Sequence, residues 1–114
     1  MKFPNEQFQY IEFASNNLTA IRAFYEHAFA WEFTDYGEDY TAFSGDYVDG
    51  GFYPGTPQMG SILPVLYAHN LETTQEKVRA AGGHIVKEIF SFPGGRRFHF
   101  TDPDTNEIAV WSDT

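Results

Sequence analysis

The chain lacks cysteine altogether, which excludes disulfide bonds and thiolate chemistry. It is poor in basic residues, with 7 Lys and Arg against 16 Asp and Glu and a formal net charge of −9. Nucleic acids and anionic membranes both attract basic surfaces, so neither is expected as a partner. No stretch approaches the roughly 20 apolar residues of a membrane span. Residues 1–7 carry no apolar run typical of a signal peptide, so we expect a cytoplasmic protein.

Aromatic residues are abundant, with 12 Phe, 7 Tyr and 2 Trp among 114 residues. Large apolar side chains of this kind can fill the core of a small protein. A chain of this length forms one domain, which we place over residues 1–114.

One pattern occurs twice in the sequence. Residues 13–18 align with residues 66–71 at an offset of 53 positions, and residues 31–33 align with residues 84–86. Each copy has the polarity of a strand, a short polar loop, an amphipathic helix and a second strand. We interpret this as one module used twice. A chance match of two strand–helix–strand units is the alternative.

The hydrophobic periodicity predicts the order β-α-β-β-β in each copy. The segment Ser15-Asn16-Asn17 supplies Ser and Asn oxygens typical of an N-cap for the first helix, Asn70 caps the second, and Gly82-Gly83 ends the second helix. The predicted apolar helix faces are Leu18, Ile21, Phe24, Tyr25 and Ala28 in the first copy, and Leu71, Thr74, Val78 and Ala81 in the second. Predicted strands cover residues 8–13, 31–36, 40–44, 47–53, 61–68, 84–90, 96–101 and 107–112.

Phe24-Tyr25, Gly82-Gly83 and the turn at residues 102–106 occur in an order and spacing that resemble the vicinal oxygen chelate superfamily. This is the group of glyoxalases, bleomycin-resistance proteins and extradiol dioxygenases. The resemblance implies an α+β fold in which two βαβββ modules, about 8–53 and 61–112, form a cupped mixed sheet. Helices would lie on its outer face and a ligand in the cup, usually in a homodimer. The family usually has Gly at position 105, where this chain has Thr, although Asn106 tolerates positive φ.

The resemblance also implies where metal-dependent relatives hold a divalent ion. Those positions correspond to Tyr10, Gly51, Leu63 and Ala109, which lack the imidazole and carboxylate ligands that such ions need. We therefore expect no metal and no cofactor. Shifting the alignment by one residue gives Gln9, Gly50, Ile62 and Ile108, which are no better as a set of metal ligands. A shift of two gives Glu12, Asp49 and Glu107, which are either solvated carboxylates at the rim or an acidic cup for a cation.

Histidines do not supply the missing ligands. Only His99 lies within a strand that is expected to line the cup, because His27 is on a helix, His69 lies just before a helix, and His84 is at a helix-to-strand junction. A single His is more often a packed residue than a ligand, although His99 as a general base without a metal is an alternative. The segment 93–97 is glycine-rich and basic and is interpreted as a hairpin loop.

The function that we expect is binding or sequestration of a small organic molecule, aromatic or cationic, as in bleomycin resistance. Filling of the cup by its own aromatic side chains is the structural alternative. A metal-dependent lyase, isomerase or dioxygenase using Glu12, Asp49, His99 and Glu107 is a second hypothesis, and a subunit that assembles with a partner is a third. The candidate ligand-binding residues are Tyr10, Glu12, Asp49, Gly51, Tyr53, Leu63, Val65, Tyr67, His99, Glu107, Ala109 and Trp111.

Overall fold

The structure, a computed structural model, describes residues 5–6, 8–58, 60 and 62–114. Ten elements follow one another in the predicted order. They are β1 (Tyr10–Ser15), α1 (Leu18–Phe29), β2 (Phe33–Asp35), β3 (Thr41–Phe43), β4 (Asp49–Pro54), β5 (Val65–Tyr67), α2 (Leu71–Ala80), β6 (His84–Phe92), β7 (Gly95–Thr101) and β8 (Glu107–Ser112).

The strands form two four-stranded sheets with the same connectivity. The first has the order β1-β4-β3-β2 and the second the order β5-β8-β7-β6. In each sheet the first strand pairs in parallel with the last, and the three later strands pair antiparallel. The duplicated βαβββ organisation and the α+β class predicted from the sequence are confirmed.

Both helices begin with the same capping interaction. Asn17 Oδ1 accepts a hydrogen bond from the backbone N–H of Ala20, and Asn70 Oδ1 accepts one from Thr73, each at 3.0 Å. Each cap satisfies one of the amides that the first helical turn leaves without a partner. At the end of α2, Gly82 adopts a positive φ of 98°, as the glycine pair predicted.

The core lies between the helices and one face of each sheet. Tyr25 of α1 is 1% exposed, and its ring stacks on Trp31 and Phe52 at centroid distances of 4.6 and 5.6 Å. Phe24 of α1 reaches Phe100 of β7, so the first helix also packs on the second sheet. In α2 the predicted face is corrected at one position, because Gln75 is buried and Thr74 is only half-buried.

A polar network joins the two modules. The Tyr25 hydroxyl donates to Asp102 Oδ2 at 2.8 Å, and the Ser15 hydroxyl donates to Asp104 Oδ2 at 2.5 Å. Asp102 Oδ1 accepts the backbone N–H groups of Asp104 and Asn106, which closes the turn before β8. Thr105 itself adopts positive φ, at 65°, at the position where the superfamily usually has Gly.

Several predicted boundaries differ from those observed. Strand β1 begins at Tyr10 rather than at residue 8, and β5 is shorter than the predicted 61–68. Only residues 93–94 separate β6 from β7, so the hairpin loop predicted at 93–97 is too long by three residues, whereas the predicted strand over 96–101 is confirmed. The described residues do not include 1–4, 7, 59 and 61. The expected start of β5 and most of the segment compared with a signal peptide therefore lie outside them. Among those described, no helix is long and apolar enough to cross a membrane.

Candidate functional site

The face of each sheet that points away from the helices is called here the open face. In the first sheet, the parallel register pairs Tyr10 with Asp49, Glu12 with Gly51, and Ala14 with Tyr53. Because side chains alternate along a strand, these residues share one face, while Ile11 and Phe13 pack against the core. The five candidates from the first module therefore lie together, as the strand parity predicted.

Tyr40, just before β3, is a site residue that the sequence reasoning missed. Its hydroxyl donates to Glu12 Oε2 at 2.8 Å and lies 2.7 Å from the hydroxyl of Tyr10. Burial raises the pKa of Tyr40 strongly, and its hydrogen bonds to Tyr10 and Glu12 raise that pKa further. The phenol of Tyr40 therefore stays protonated and holds the Glu12 carboxylate in place.

Gly51 provides the space that Tyr40 occupies. A Cβ atom added at Gly51 would lie only 2.3 Å from Tyr40 Oη, far inside van der Waals contact. Any side chain at position 51, including a metal ligand, would therefore displace Tyr40 and break its hydrogen bonds to Tyr10 and Glu12. The space left by the missing side chain of Gly51 is thus filled by a tyrosine of the same module.

Asp49 has a structural role. Its Oδ2 accepts from the Gln9 side chain at 2.9 Å, and its Oδ1 accepts from the backbone N–H of Gly45 at 3.1 Å. These contacts fix the loop between β3 and β4 against the start of β1. The Asp49 carboxylate therefore does not lie free in an acidic cup.

The open face of the second sheet is organised in rows across the strands. Val65, Ala109 and His99 are register partners in one row, and Tyr67, Trp111 and Arg97 form the next. Glu107 pairs with Thr101 one row further along the face. Leu63 precedes β5 and is exposed. Arg97 is the second site residue that the sequence reasoning missed.

His99 is oriented by a carboxylate. Its Nδ1 lies 2.7 Å from Glu107 Oε2, while its Nε2 is buried and has no hydrogen-bond partner among the described residues. The ring of Phe90 stacks beside the imidazole, with a centroid distance of 5.9 Å. This His–carboxylate pair is the geometry that fixes one ring nitrogen and leaves the other for a ligand. No orienting partner for His99 is evident from the sequence, whereas in the structure Glu107 is that partner.

Aromatic side chains surround the row of Trp111. Tyr67 lies 5.2 Å from Trp111 and Phe92 lies 6.4 Å from it, measured between ring centroids. The Tyr67 hydroxyl donates to Asp113 at 2.6 Å, and this hydrogen bond raises the pKa of Tyr67. These rings offer stacking surfaces at the edge of the open face.

The two modules share a cavity of about 170 Å³ where β1 passes the segment before β5. Glu12 and Tyr53 of the first module line it, together with Glu107 of the second. A second, more apolar cavity of about 360 Å³ lies between Trp31, Phe43 and Val65. The Glu12 and Glu107 carboxylates therefore border one space, whereas Asp49 is absent from its lining.

The residues present do not fit a divalent metal. The positions that the resemblance identified hold a phenol, a glycine and two aliphatic side chains. These residues are Tyr10, Gly51, Leu63 and Ala109. The structure also does not assemble the atypical set: in the described part of the chain, no three His, Asp or Glu side chains are placed to hold an ion. His99 and Glu107 bind each other, and Asp49 is bound by Gln9.

The fold is a duplicated βαβββ architecture whose open faces carry partly exposed aromatic side chains. The sequence profile of the Glyoxalase/Bleomycin resistance protein/Dioxygenase superfamily matches residues 7–110. The chain therefore belongs to this superfamily, as its resemblance predicted. A comparison with curated proteins found no match.

Solved structures show the same fold at low sequence identity. A glyoxalase-related enzyme from Fulvimarina pelagi is 18% identical, with a TM-score of 0.84 over 94% of this chain and 88% of that one. A glyoxalase/bleomycin resistance protein/dioxygenase family enzyme from Burkholderia phytofirmans PsJN is 14% identical, with a TM-score of 0.83 over 93% and 98%. Lactoylglutathione lyase from Agrobacterium tumefaciens is 15% identical, with a TM-score of 0.77 over 96% of each chain.

Proposed function

We propose that this chain binds a small organic molecule on the open face of its sheets, without a metal ion. One observation carries the proposal: large apolar side chains are concentrated there although much of their surface is exposed. Tyr10 and Tyr53 of the first sheet are each 43% exposed, and Val65 and Tyr67 of the second are 48% and 50% exposed. Exposed apolar surface next to a few fixed polar groups is typical of a ligand site.

The polar groups on this face are held in place before any ligand arrives. Glu12 is fixed by Tyr40, and Glu107 is fixed by His99. Fixed groups lose little conformational freedom on binding, which favours affinity. The aromatic rings around Trp111 supply stacking area, so an aromatic ligand is favoured.

Tryptophan fluorescence tests the proposal. A thermal-shift screen of small aromatic molecules would identify binders, and each binder is then titrated while the tryptophan emission is measured. We expect a binder to quench the emission of the wild type, and Trp111→Phe to remove most of that quenching. Trp31→Phe is the control, because Trp31 stacks on the core rings of Tyr25 and Phe43.

Two results would refute binding on the open face. One is a screen in which no compound raises the melting temperature. The other is quenching that persists in Trp111→Phe and disappears in Trp31→Phe, which would place the ligand in the core-side cavity beside Trp31. Stoichiometric zinc, nickel, iron or manganese in protein purified without chelator would instead favour the metal-dependent enzyme.

The pairing of His99 with Glu107 favours a second candidate, proton transfer without a metal. A neutral imidazole whose Nδ1–H faces a carboxylate presents Nε2 as a base. Incubating a bound carbon acid in D₂O tests this candidate by NMR. Deuterium incorporation should occur with the wild type and be lost with His99→Gln, and exchange at the uncatalysed rate with the wild type would reject it.

A further inference from the structure

Arg97 differs from the other arginines that the structure describes. Arg22, Arg79 and Arg96 each lie within 3.0 Å of a carboxylate oxygen. By contrast, Arg97 forms no salt bridge over residues 8–58, 60 and 62–114: no carboxylate oxygen there lies within 4.0 Å of a guanidinium nitrogen. The chain carries 16 acidic residues, so this lack of a partner does not reflect a shortage of carboxylates.

Two phenylalanines hold the Arg97 guanidinium. Its central carbon lies 5.5 Å from the ring centroid of Phe90 and 5.7 Å from that of Phe92. Arg97 Nε is buried and has no acceptor among the described residues. A buried donor without an acceptor is costly and therefore rare in native proteins. The two rings hold the guanidinium, and its Nε–H has no acceptor among the described residues.

The position of Arg97 indicates what would supply the acceptor. In the sheet register Arg97 is opposite Trp111, and Trp111 is opposite Tyr67. A ligand ring stacked near Trp111 would therefore bring a substituent close to the guanidinium. The planar fork of an arginine matches a carboxylate, to which it can donate two parallel hydrogen bonds.

The carboxylates of the open face are already engaged. Glu12 accepts from Tyr40, Glu107 is bound to His99, and Asp113 accepts from Tyr67. These acidic groups are therefore poor candidates for pairing with an organic cation. We propose that Arg97 anchors the carboxylate of a planar aromatic acid whose ring packs near Trp111. This inference rests on the proposed function and reverses the ligand charge expected from the acidic composition.

Three probes with one ring system test the inference by isothermal titration calorimetry: 2-naphthoate, 2-naphthamide and 2-naphthylmethylammonium. We expect wild-type protein to bind the naphthoate roughly tenfold or more tightly than the amide, as for a hydrogen bond to a charged group. Arg97→Gln should abolish this preference. Arg97→Lys should lose most of it, because an ammonium lacks the planar fork.

Arg96→Gln is the matched control. Arg96 neighbours Arg97 in β7 but pairs with Glu72 at 2.6 Å, so its loss should leave the preference unchanged. Circular dichroism confirms that each variant is folded. Equal or tighter binding of the amide or the ammonium by wild type would overturn the inference and leave the proposed function standing. Absence of binding by all three probes would also overturn it, while the fluorescence screen decides the proposed function separately.

Discussion

Removing one hydroxyl tests how the two modules are joined. Tyr25 of α1 is buried, and its hydroxyl donates to Asp102 Oδ2 at 2.8 Å. Tyr25→Phe deletes this hydrogen bond and keeps the ring, which stacks on Trp31 and Phe52. The Asp102 carboxylate would retain only the donors of its own turn, from Asp104 and Asn106.

The expected loss follows from the charge of the acceptor. A hydrogen bond to a charged group contributes about 1.5–3 kcal/mol, roughly twice the value for neutral partners. Tyr25→Phe should therefore lower the free energy of unfolding at neutral pH by about 1.5–3 kcal/mol. In a domain of this size, that loss corresponds to a decrease in melting temperature of roughly 6–12 °C.

The loss should depend on pH. Burial raises the pKa of Asp102, and hydrogen bonds from Asn106 and Tyr25 partly oppose that increase. Without the Tyr25 hydroxyl, the pKa of Asp102 in the folded protein rises further. A carboxyl whose pKa is raised in the folded state binds more protons there than in the unfolded state. Its contribution to stability therefore falls as the pH rises from the pKa of the unfolded state through that of the folded state. The difference between wild type and variant should therefore be small at acidic pH and largest at neutral pH.

Urea unfolding followed by circular dichroism at two pH values measures both effects. Tyr36→Phe is the control, because the Tyr36 side chain is exposed. A loss below about 0.5 kcal/mol in Tyr25→Phe at pH 7 would refute the assigned strength of this bond, since hydrogen bonds to charged groups contribute more than that. An equal loss at both pH values would refute the role of the Asp102 charge.

Three further predictions concern Gly51, Thr105 and the absence of metal ligands. Gly51→Ala should displace Tyr40 and break its two hydrogen bonds, which should lower the free energy of unfolding by about 1–2 kcal/mol. Urea unfolding measures this loss, and unchanged stability would contradict the prediction. Thr105→Gly should raise that free energy by up to about 1 kcal/mol, because it relieves a positive φ, while Thr105→Ala should not; a loss in the glycine variant would contradict this. Dialysis against a chelator should leave quenching by a bound ligand unchanged, and quenching that is lost and then restored by a divalent ion would contradict this.

The fold was predictable because its signals are local and occur twice. Asn17 and Asn70 are small polar residues before apolar helical patterns, and both cap helices in the structure. Alternation within β1 and β4 correctly assigned Tyr10, Glu12 and Tyr53 to one face. Helix caps and strand parity depend on neighbouring residues, so a single sequence is sufficient to show them.

The site was less predictable because its contacts cross between strands. A glycine inside a strand is typical of a close approach to the backbone, but the sequence does not show that the ring of Tyr40 is what approaches Gly51. Arg97 fell both in the predicted strand over residues 96–101 and in the glycine-rich segment 93–97, and it was not recognised as a site residue, although β7 begins at Gly95. Alternation of Arg97 and His99 with Phe98 and Phe100 was the signal that could have placed Arg97 on the open face.

The tyrosine above Gly51 also affects how this chain could change during evolution. A glutamate introduced at position 51 would collide with the Tyr40 phenol, because even a Cβ atom there lies 2.3 Å from Tyr40 Oη. Removing the phenol first would leave Glu12 and Tyr10 without the group that binds them both. Either order of substitution passes through an intermediate with broken contacts. A side chain at position 51 therefore requires a compensating change at position 40.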